Sequence, residues 1–180
     1  EYNDFIDVIC DPCLDDPIVD LGNLTEYKSS SITPPVTKPD EDISYRNRVF
    51  KDVQHAKKAV HAEDYDEYIK RSTGNMIDTL DLCSTDIVLD IGSGLGDMAK
   101  ELSPAVQKIY CCDINKQYLQ LATDNCKGVE NISCHQVVSD NTPLQFLPDR
   151  CIDKAYAHSV MIHNSTKIII AYLKDLNRVL

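Results

Sequence analysis

Apolar positions from residue 43 onward alternate between short continuous runs and helical repeats. The short runs predict four strands, at residues 86–91, 108–112, 132–138 and within 152–160. Apolar residues three and four apart predict helices at residues 64–82, 97–102, 117–126 and 166–180, and a more polar helix at 45–62. Because strands and helices alternate, we expect right-handed βαβ units and an α/β fold with a doubly wound parallel sheet.

Two of the predicted helices have clear apolar stripes. The stripe of the helix at 64–82 consists of Tyr65, Tyr68, Ile69, Met76, Ile77 and Leu80. The stripe of the helix at 166–180 consists of Ile169, Ile170, Leu173, Leu176 and Leu180. An apolar stripe on a helix faces the core, so we expect both sets to be buried.

Charge and proline content divide the chain. Residues 1–42 hold eleven Asp/Glu, two Lys and five of the eight prolines, so they carry a net charge of −9 out of −11 for the whole chain. This composition is typical of a linker or the end of an upstream module, although residues 5–9 could form one short strand. We expect residues 43–85 to form N-terminal helices and residues 86–180 to form the sheet domain.

Composition also narrows the function classes. Residues 43–180 are near neutral, with a net charge of −2 and no Lys/Arg cluster, which disfavours a nucleic-acid substrate. No run reaches the roughly eighteen apolar residues of a membrane span. Four of the eight cysteines lie in apolar, strand-like runs, and the Cys10–Cys13 pair has no second pair at zinc spacing. We therefore expect a reduced, cytoplasmic protein without a bound metal.

The first predicted strand runs into a turn of the form Asp90-x-Gly92-x-Gly94-x-Gly96. Glycine lets the backbone approach a ligand closely, and the following helix offers unpaired N–H groups at its start. The dinucleotide fingerprint would need glycine three residues after Gly94, where Asp97 stands. Asp90 and Asp97 suit a cationic ligand and would repel a pyrophosphate, so they disfavour a nicotinamide-dependent oxidoreductase.

Acidic residues follow the next two predicted strands. Asp113 closes the second strand, seventeen residues after Gly96, where a carboxylate can accept both hydroxyls of a ribose. Asp140 follows the third strand, and either it or Asn141 could accept from an adenine amino group or cap a turn.

Two histidines lie near the end of the fourth predicted strand. His158 falls at the carboxyl end, where open α/β sheets bind ligands, and His163 opens the next helix. Each could act as a general base, pack against a cofactor or cap a helix. Both are candidate catalytic residues.

Taken together, these residues resemble class I S-adenosylmethionine (SAM) dependent methyltransferases, and are most similar to the small-molecule branch of the ubiquinone and menaquinone type. The resemblance covers about residues 60–180. It implies a Rossmann-like sheet with strand order 3-2-1-4-5-7-6, SAM as cofactor, and methyl transfer to a small-molecule or modified-polymer acceptor. The implied cofactor residues are Asp90, Gly92, Ser93, Gly94, Gly96, Asp113, Ile114, Asp140, Asn141 and His158.

One departure from the family pattern concerns the C-terminus. In the family an Arg-Val-Leu ending is followed by further strands, whereas this chain stops at Arg178-Val179-Leu180. We therefore expect only the first four strands, with the fourth strand as an exposed edge that promotes self-association. A methyltransferase-like module that binds SAM or acts as a scaffold without turnover stays open as the alternative.

Overall fold

The computed structural model of the chain describes residues 6–8, 54 and 65–180. The strands in these residues are β1 (Ile6–Val8), β2 (Ile87–Ile91), β3 (Lys108–Asp113), β4 (Ile132–Gln136) and β5 (Lys154–His158). The α-helices between residues 65 and 180 are α1 (Tyr65–Leu80), α2 (Asp97–Leu102), α3 (Lys116–Asn125) and α4 (Thr166–Val179). Short 3-10 turns lie at Ser103–Ala105 and Met161–His163.

The strands form one sheet in the order β1-β5-β2-β3-β4, in which the last four are parallel. In chain order the four predicted strands therefore lie 3-2-1-4 across the sheet, as the family resemblance implies. The Rossmann-like parallel arrangement is confirmed. The four strands begin and end within two residues of their predicted bounds.

Helices cover the sheet on both faces. One face packs against α1 and α2 through residues such as Val88 and Ile109, and the other packs against α4 through residues such as Leu89 and Ala157. Val88 and Leu89 point to opposite faces, yet both are fully buried. Burial on both faces explains why the strands read as continuous apolar runs instead of alternating patterns.

The strand β1 corrects the expected bare edge. It pairs antiparallel with β5, with Ile6 opposite His158 and Val8 opposite Tyr156. Over these three residues the edge of β5 is occupied, and this part of the segment 1–42 belongs to the sheet. Self-association through an edge stays a prediction.

Other predictions fall outside the described residues. They are the Cys10–Cys13 pair, the rest of the segment 1–42, and the helix at 45–62, of which residue 54 alone is described and is helical. None of the helices in the described part of the chain combines the length and apolarity that a membrane span needs.

The buried face of α4 differs from the predicted stripe. Ile170 is 40% exposed, and Ile169, Leu173 and Leu180 are only partly buried. The buried positions are instead Ile168, Ala171, Tyr172, Asp175, Leu176 and Val179. One member of the buried set is charged: the Asp175 carboxylate accepts a hydrogen bond from the Leu144 N–H, at 2.8 Å.

Arg178 fixes the long segment between β4 and β5. Its guanidinium donates to the carbonyl oxygens of Leu147 at 2.8 Å and Leu144 at 3.0 Å, and to the Asp149 carboxylate at 2.9 Å. The arginine of the Arg-Val-Leu ending thus binds two carbonyl oxygens of this segment, of which that of Leu144 also accepts from the Leu147 N–H at 3.0 Å. Asp149 is 74% exposed, so the carbonyl bonds contribute more than the ion pair.

We expect Arg178→Ala to lower the free energy of unfolding by about 1.5–3 kcal/mol, because it removes hydrogen bonds from a charged donor to two carbonyl oxygens. Lys174→Ala is the matched control, since Lys174 is exposed on the same helix and its loss should change stability by less than about 0.5 kcal/mol. Urea denaturation measures both. Equal losses in the two variants would contradict the role given to Arg178.

Candidate functional site

A cavity of about 400 Å³ opens at the carboxyl ends of β2, β3 and β5. This is the edge at which open α/β sheets bind ligands. Its wall combines the turn after β2, the ends of β3 and β5, the segment after β4, and one side of α1. The polar lining residues include Tyr65, Tyr68, Asp90, Ser93, Asp97, Asp113, Ser139, Asp140, His158, His163 and Asn164.

The three glycines of the turn have positive φ angles but different surroundings. A Cβ on Gly92 would lie 2.3 Å from Val160 Cγ2, and one on Gly96 would lie 3.1 Å from Cys126 Sγ. A Cβ on Gly94 would meet only the Gly92 carbonyl oxygen, at 4.0 Å. Gly92 and Gly96 therefore permit close packing, whereas Gly94 leaves space that belongs to the cavity.

Asp113 joins the glycine turn to the end of β3. Its Oδ2 accepts from the Gly94 N–H at 3.0 Å and its Oδ1 from the Asn115 N–H at 2.8 Å. Burial raises the pKa of Asp113, and these backbone donors oppose that rise. A carboxylate has about four acceptor sites, so Asp113 can hold the turn and still accept from a ligand.

Asp90 is the most unusual polar group of the wall. Its side chain is only 3% exposed, and its Oδ2 is buried without a hydrogen-bond partner, as is the hydroxyl oxygen of Ser93. Burial raises the pKa of Asp90 to about 7, partly offset by the nearby Tyr156 hydroxyl, and Asp113 raises it further. That hydroxyl is close, yet its geometry falls short of a hydrogen bond. Buried polar atoms without partners beside a cavity indicate that a ligand satisfies them.

Two tyrosines of α1 close one side of the cavity. The Tyr65 hydroxyl donates to Asp97 Oδ2 at 2.9 Å, and the Tyr68 hydroxyl lies 3.1 Å from His158 Nε2. Asp97 Oδ1 also accepts from Asn125 Nδ2, at 3.0 Å. Burial and the Asp97 charge raise the pKa of Tyr65, so its hydroxyl stays protonated and donates. These bonds tie α1 to the start of α2 and to the end of β5.

The chain turns sharply after β5, beside the cavity. Ser159 has a φ of +56°, a left-handed conformation that non-glycine residues rarely adopt. Such strain often accompanies functional sites. The turn places His158 and His163 in the same wall, where His163 is half-buried in the 3-10 turn.

Most of the sequence-predicted residues meet at this cavity. Both candidate bases line it, and so do the predicted cofactor residues Asp90, Gly92, Ser93, Gly94, Asp113, Ile114, Asp140 and His158. Gly96 lies outside the lining, where it packs against α3. Asn141 is exposed and lies outside the lining, and its N–H donates to the Ser139 hydroxyl at 3.3 Å, in a turn.

Sequence reasoning missed the tyrosines of α1. The sequence pattern places Tyr65 and Tyr68 in an apolar stripe, although each carries a hydroxyl that a leucine would lack. Two tyrosines three residues apart on one helix face were the available signal. No cluster of three or more metal-binding side chains occurs between residues 65 and 180 or at 6–8 and 54.

Comparison with known proteins gives a family match. The family model described as a methyltransferase domain matches residues 88–180. The chain is 35% identical over 82 residues to "Uncharacterized methyltransferase YcgJ" of Bacillus subtilis, covering 44% of this chain and 31% of that protein. It is 27% identical over 114 residues to "Probable cobalt-precorrin-6B C(15)-methyltransferase (decarboxylating)" of Methanococcus maripaludis, covering 52% of this chain and 63% of that protein. The chain thus spans less than two thirds of these curated relatives.

Solved structures agree on the fold. The crystal structure of YcgJ from Bacillus subtilis matches with a TM-score of 0.54 and 31% identity, covering 61% of this chain and 46% of that one. A SAM-dependent methyltransferase from Aquifex aeolicus matches with a TM-score of 0.51 and 21% identity, covering 59% of this chain and 57% of that one. The second match concerns the fold alone.

The glycine turn leads to a prediction that separates folding from ligand binding. Gly94→Ala should cost about 1–2 kcal/mol of stability through backbone strain and place a methyl group in the ligand space, so affinity for S-adenosylhomocysteine should fall. Gly96→Ala should cost about 1–3 kcal/mol more, because its Cβ meets Cys126 and Ala122. Urea denaturation and calorimetry measure the two effects. The assignment fails if Gly96→Ala is the less destabilising variant.

Proposed function

Because the chain belongs to the methyltransferase domain family of class I SAM-dependent enzymes, we propose that it binds SAM in the cavity and transfers the methyl group to a small-molecule or modified-polymer acceptor. The observation that carries this proposal is the glycine turn bonded to the buried carboxylate of Asp113, at the edge where such sheets bind ligands. The family alone leaves the acceptor open.

The residues of the turn fit the amino-acid part of SAM. Asp90 Oδ2 and the Ser93 hydroxyl are buried acceptors without partners, and a ligand ammonium group would supply donors to them. Gly94 leaves room for the ligand where a side chain would fill the cavity. An ionised Asp90 would also offset the positive charge of a sulfonium.

The strand ends fit the nucleoside part of the same ligand. We assign the ribose hydroxyls to Asp113, which lines the cavity and has acceptor sites beyond those used by the two backbone N–H groups. Ile114 and Val137 supply apolar surface for a base, and Asp140 can accept from its amino group. Asn141 is exposed outside the lining, so Asp140 is the better candidate of the two.

His158 and Tyr68 are the proposed proton-accepting pair. SAM supplies a methyl group on a sulfonium and leaves as S-adenosylhomocysteine. A hydroxyl acceptor must lose a proton as it is methylated, and a protonated amine must lose one before its nitrogen can attack. A positioned histidine can take this proton. The Tyr68 hydroxyl at 3.1 Å orients the His158 ring through Nε2. His163 lines the same wall and stays the second candidate.

The partners and the cellular location are also proposals. The cavity of about 400 Å³ is of a size that suits small molecules, which supports a small-molecule acceptor. The near-neutral charge of residues 43–180 gives no reason to propose nucleic acid as the acceptor. Free thiols such as those of Cys111 and Cys112 support a reducing, cytoplasmic location.

We expect wild-type chain to bind S-adenosylhomocysteine, and Asp113→Ala to lose about 1.5–3 kcal/mol of that binding free energy, because charged hydrogen bonds to the ribose disappear. Isothermal titration calorimetry measures both. Asp124→Ala is the matched control, since Asp124 is exposed on α3 and away from the cavity.

Melting curves without ligand must accompany this test, because Asp113 also holds the glycine turn. A folded Asp113→Ala variant with unchanged affinity would contradict the ribose assignment. Absence of binding in the wild-type chain would contradict the proposed function itself.

Turnover is tested with methyl-labelled SAM and a panel of amines and phenols. His158→Gln should lower the methylation rate by about 10²–10⁴-fold and change S-adenosylhomocysteine affinity little. Tyr68→Phe should cause a smaller loss, because the ring contact remains and only the hydroxyl is removed. If affinity and rate fall equally in His158→Gln, His158 packs against the cofactor and is not the base. Binding without transfer to any acceptor would favour the scaffold alternative.

A further inference from the structure

A row of four ionisable side chains crosses the sheet near the start of the glycine turn. In the strand pairing, Tyr156 of β5 lies opposite Asp90 of β2, Asp90 lies opposite Cys111 of β3, and Cys111 lies opposite Cys134 of β4. Side chains of paired residues in neighbouring strands point to the same face of a sheet. Asp90 therefore lies between Tyr156 and Cys111, on the face that packs against α1 and α2.

Tyr156 and Asp90 each carry a polar atom that the other could satisfy. Tyr156 is 1% exposed and Asp90 is 3% exposed. Among the described residues, neither the Tyr156 hydroxyl nor Asp90 Oδ2 has a hydrogen-bond partner, although both atoms are buried and the two side chains are close. A phenol hydroxyl donates and a carboxylate oxygen accepts, so a small movement would join them. A buried hydroxyl without a partner is unfavourable, and packing alone would not require one.

Other titratable groups surround Asp90 and are weaker or unsuitable donors in this row. On the neighbouring strands and at the end of α3 they are Cys111, Cys112, Asp113, Cys134 and Cys126. From α1, α2 and the end of β5, the cavity wall adds Tyr65, Tyr68, Asp97 and His158, and α4 covers the opposite face of the sheet. A thiol donates weakly, so Tyr156 is the strongest donor of the row. Burial raises the pKa of Tyr156, so its hydroxyl keeps the proton that it would donate.

We propose that Tyr156 is a positioning residue for the cofactor: its hydroxyl donates to Asp90 Oδ2 once Asp90 is ionised, and this bond holds the carboxylate in place for the ligand ammonium group. A carboxylate has about four acceptor sites, so Tyr156 and the ligand can donate to Asp90 together. This inference rests on the proposed function, because it takes the ammonium group of SAM as the ligand group beside Asp90.

The bond links ligand binding to the proton on Asp90. Burial raises the pKa of Asp90 to about 7, so near neutral pH part of the free protein carries a protonated Asp90. The ligand ammonium group and the Tyr156 hydroxyl both favour the ionised form. Binding should therefore release the Asp90 proton to the solvent. Affinity should rise as the pH increases through about 7, and should level off once Asp90 is ionised before the ligand arrives.

The first test measures this linkage by calorimetry on the full chain. S-adenosylhomocysteine is titrated between about pH 6 and about pH 8 in buffers of different ionisation enthalpy, which reports the number of protons released. We expect release to approach about one proton at the acidic end and to fall toward zero at the alkaline end. The control ligand is 5′-methylthioadenosine, which lacks the amino-acid part and should bind without proton release. Equal release with both ligands, or none with S-adenosylhomocysteine, would overturn the inference.

Tyr156→Phe removes the hydroxyl and keeps the ring. Because the hydroxyl has no partner among the described residues, the melting temperature of the free protein should stay unchanged or rise. Affinity for S-adenosylhomocysteine at pH 7 should fall at least about fivefold. The pH at which affinity reaches half of its upper limit should move upward, because ionised Asp90 has lost a donor. A lower melting temperature with an unchanged pH profile would show a packing role alone and contradict the proposal.

Tyr110→Phe is the matched control. Tyr110 lies on the neighbouring strand β3, packs against the cluster on the other face and lies outside the cavity lining. Its loss of a hydroxyl should change neither the affinity nor its pH dependence. An equal effect of the two tyrosine variants counts against the role of Tyr156.

A double variant tests whether Tyr156 acts through Asp90. Asp90→Asn should weaken binding of S-adenosylhomocysteine and abolish the proton release. In that background Tyr156→Phe should lower affinity by no more than about twofold, since no carboxylate is left to hold. An equal loss in both backgrounds would show that Tyr156 acts without Asp90. If neither ligand binds the wild-type chain, the proposed function fails; if both bind and Tyr156→Phe changes nothing, this inference alone fails.

Discussion

The hydrogen bond from the Gly94 N–H to the Asp113 carboxylate is the contact on which the site depends. It joins the turn that leaves β2 to the end of the neighbouring strand β3, at 3.0 Å. The N–H groups of Gly92 and Ser93 reinforce it by donating to the Cys112 carbonyl at 2.7 and 3.0 Å. A chain held so closely to the next strand must adopt positive φ angles, and glycine does so without strain. The same bonds set where α2 begins and leave the cavity open above the strand ends.

Most of the fold could be predicted because the residues that mark each strand and its end are neighbours in the sequence. Strands β2, β3 and β5 are buried on both faces, so each reads as an apolar run, and a glycine turn or a charged loop marks its end. The strand β1 was harder to predict, since three residues at a sheet edge are determined by pairing with β5 and hardly by their own pattern. Its residue Ile6 lies opposite His158, 152 positions later in the chain. The stripe of α4 was misplaced because two sets of apolar positions on this helix have helical spacing. The buried set is Ile168, Ala171, Tyr172, Leu176 and Val179, and spacing alone cannot choose between the two.

The residues of the candidate site differ in the same way: some can be recognised from their neighbours in the sequence, and others only from a contact with a distant residue. The glycines, Asp113 and His158 could be identified because each lies at the end of a strand or directly after it, and parallel strands end at one edge. Tyr68 could not, because its contact with His158 joins residues 90 positions apart. On an amphipathic helix a tyrosine also reads as an apolar residue, and only the folded chain reveals where its hydroxyl points. The side of the cavity that α1 forms is therefore the part that sequence motifs describe least.

Asp90 shows why an acidic cavity is costly without its ligand. Burial raises the pKa of Asp90 to about 7, compared with roughly 4 for an exposed carboxyl. A carboxyl whose pKa rises on folding destabilises the native state when it ionises, and this loss of stability continues as the pH rises through about 7. A bound cation would reverse that penalty, since it stabilises the ionised form and supplies donors to Oδ2. Under the proposed function, the buried carboxylate of Asp90 would therefore contribute to the affinity for a positively charged cofactor.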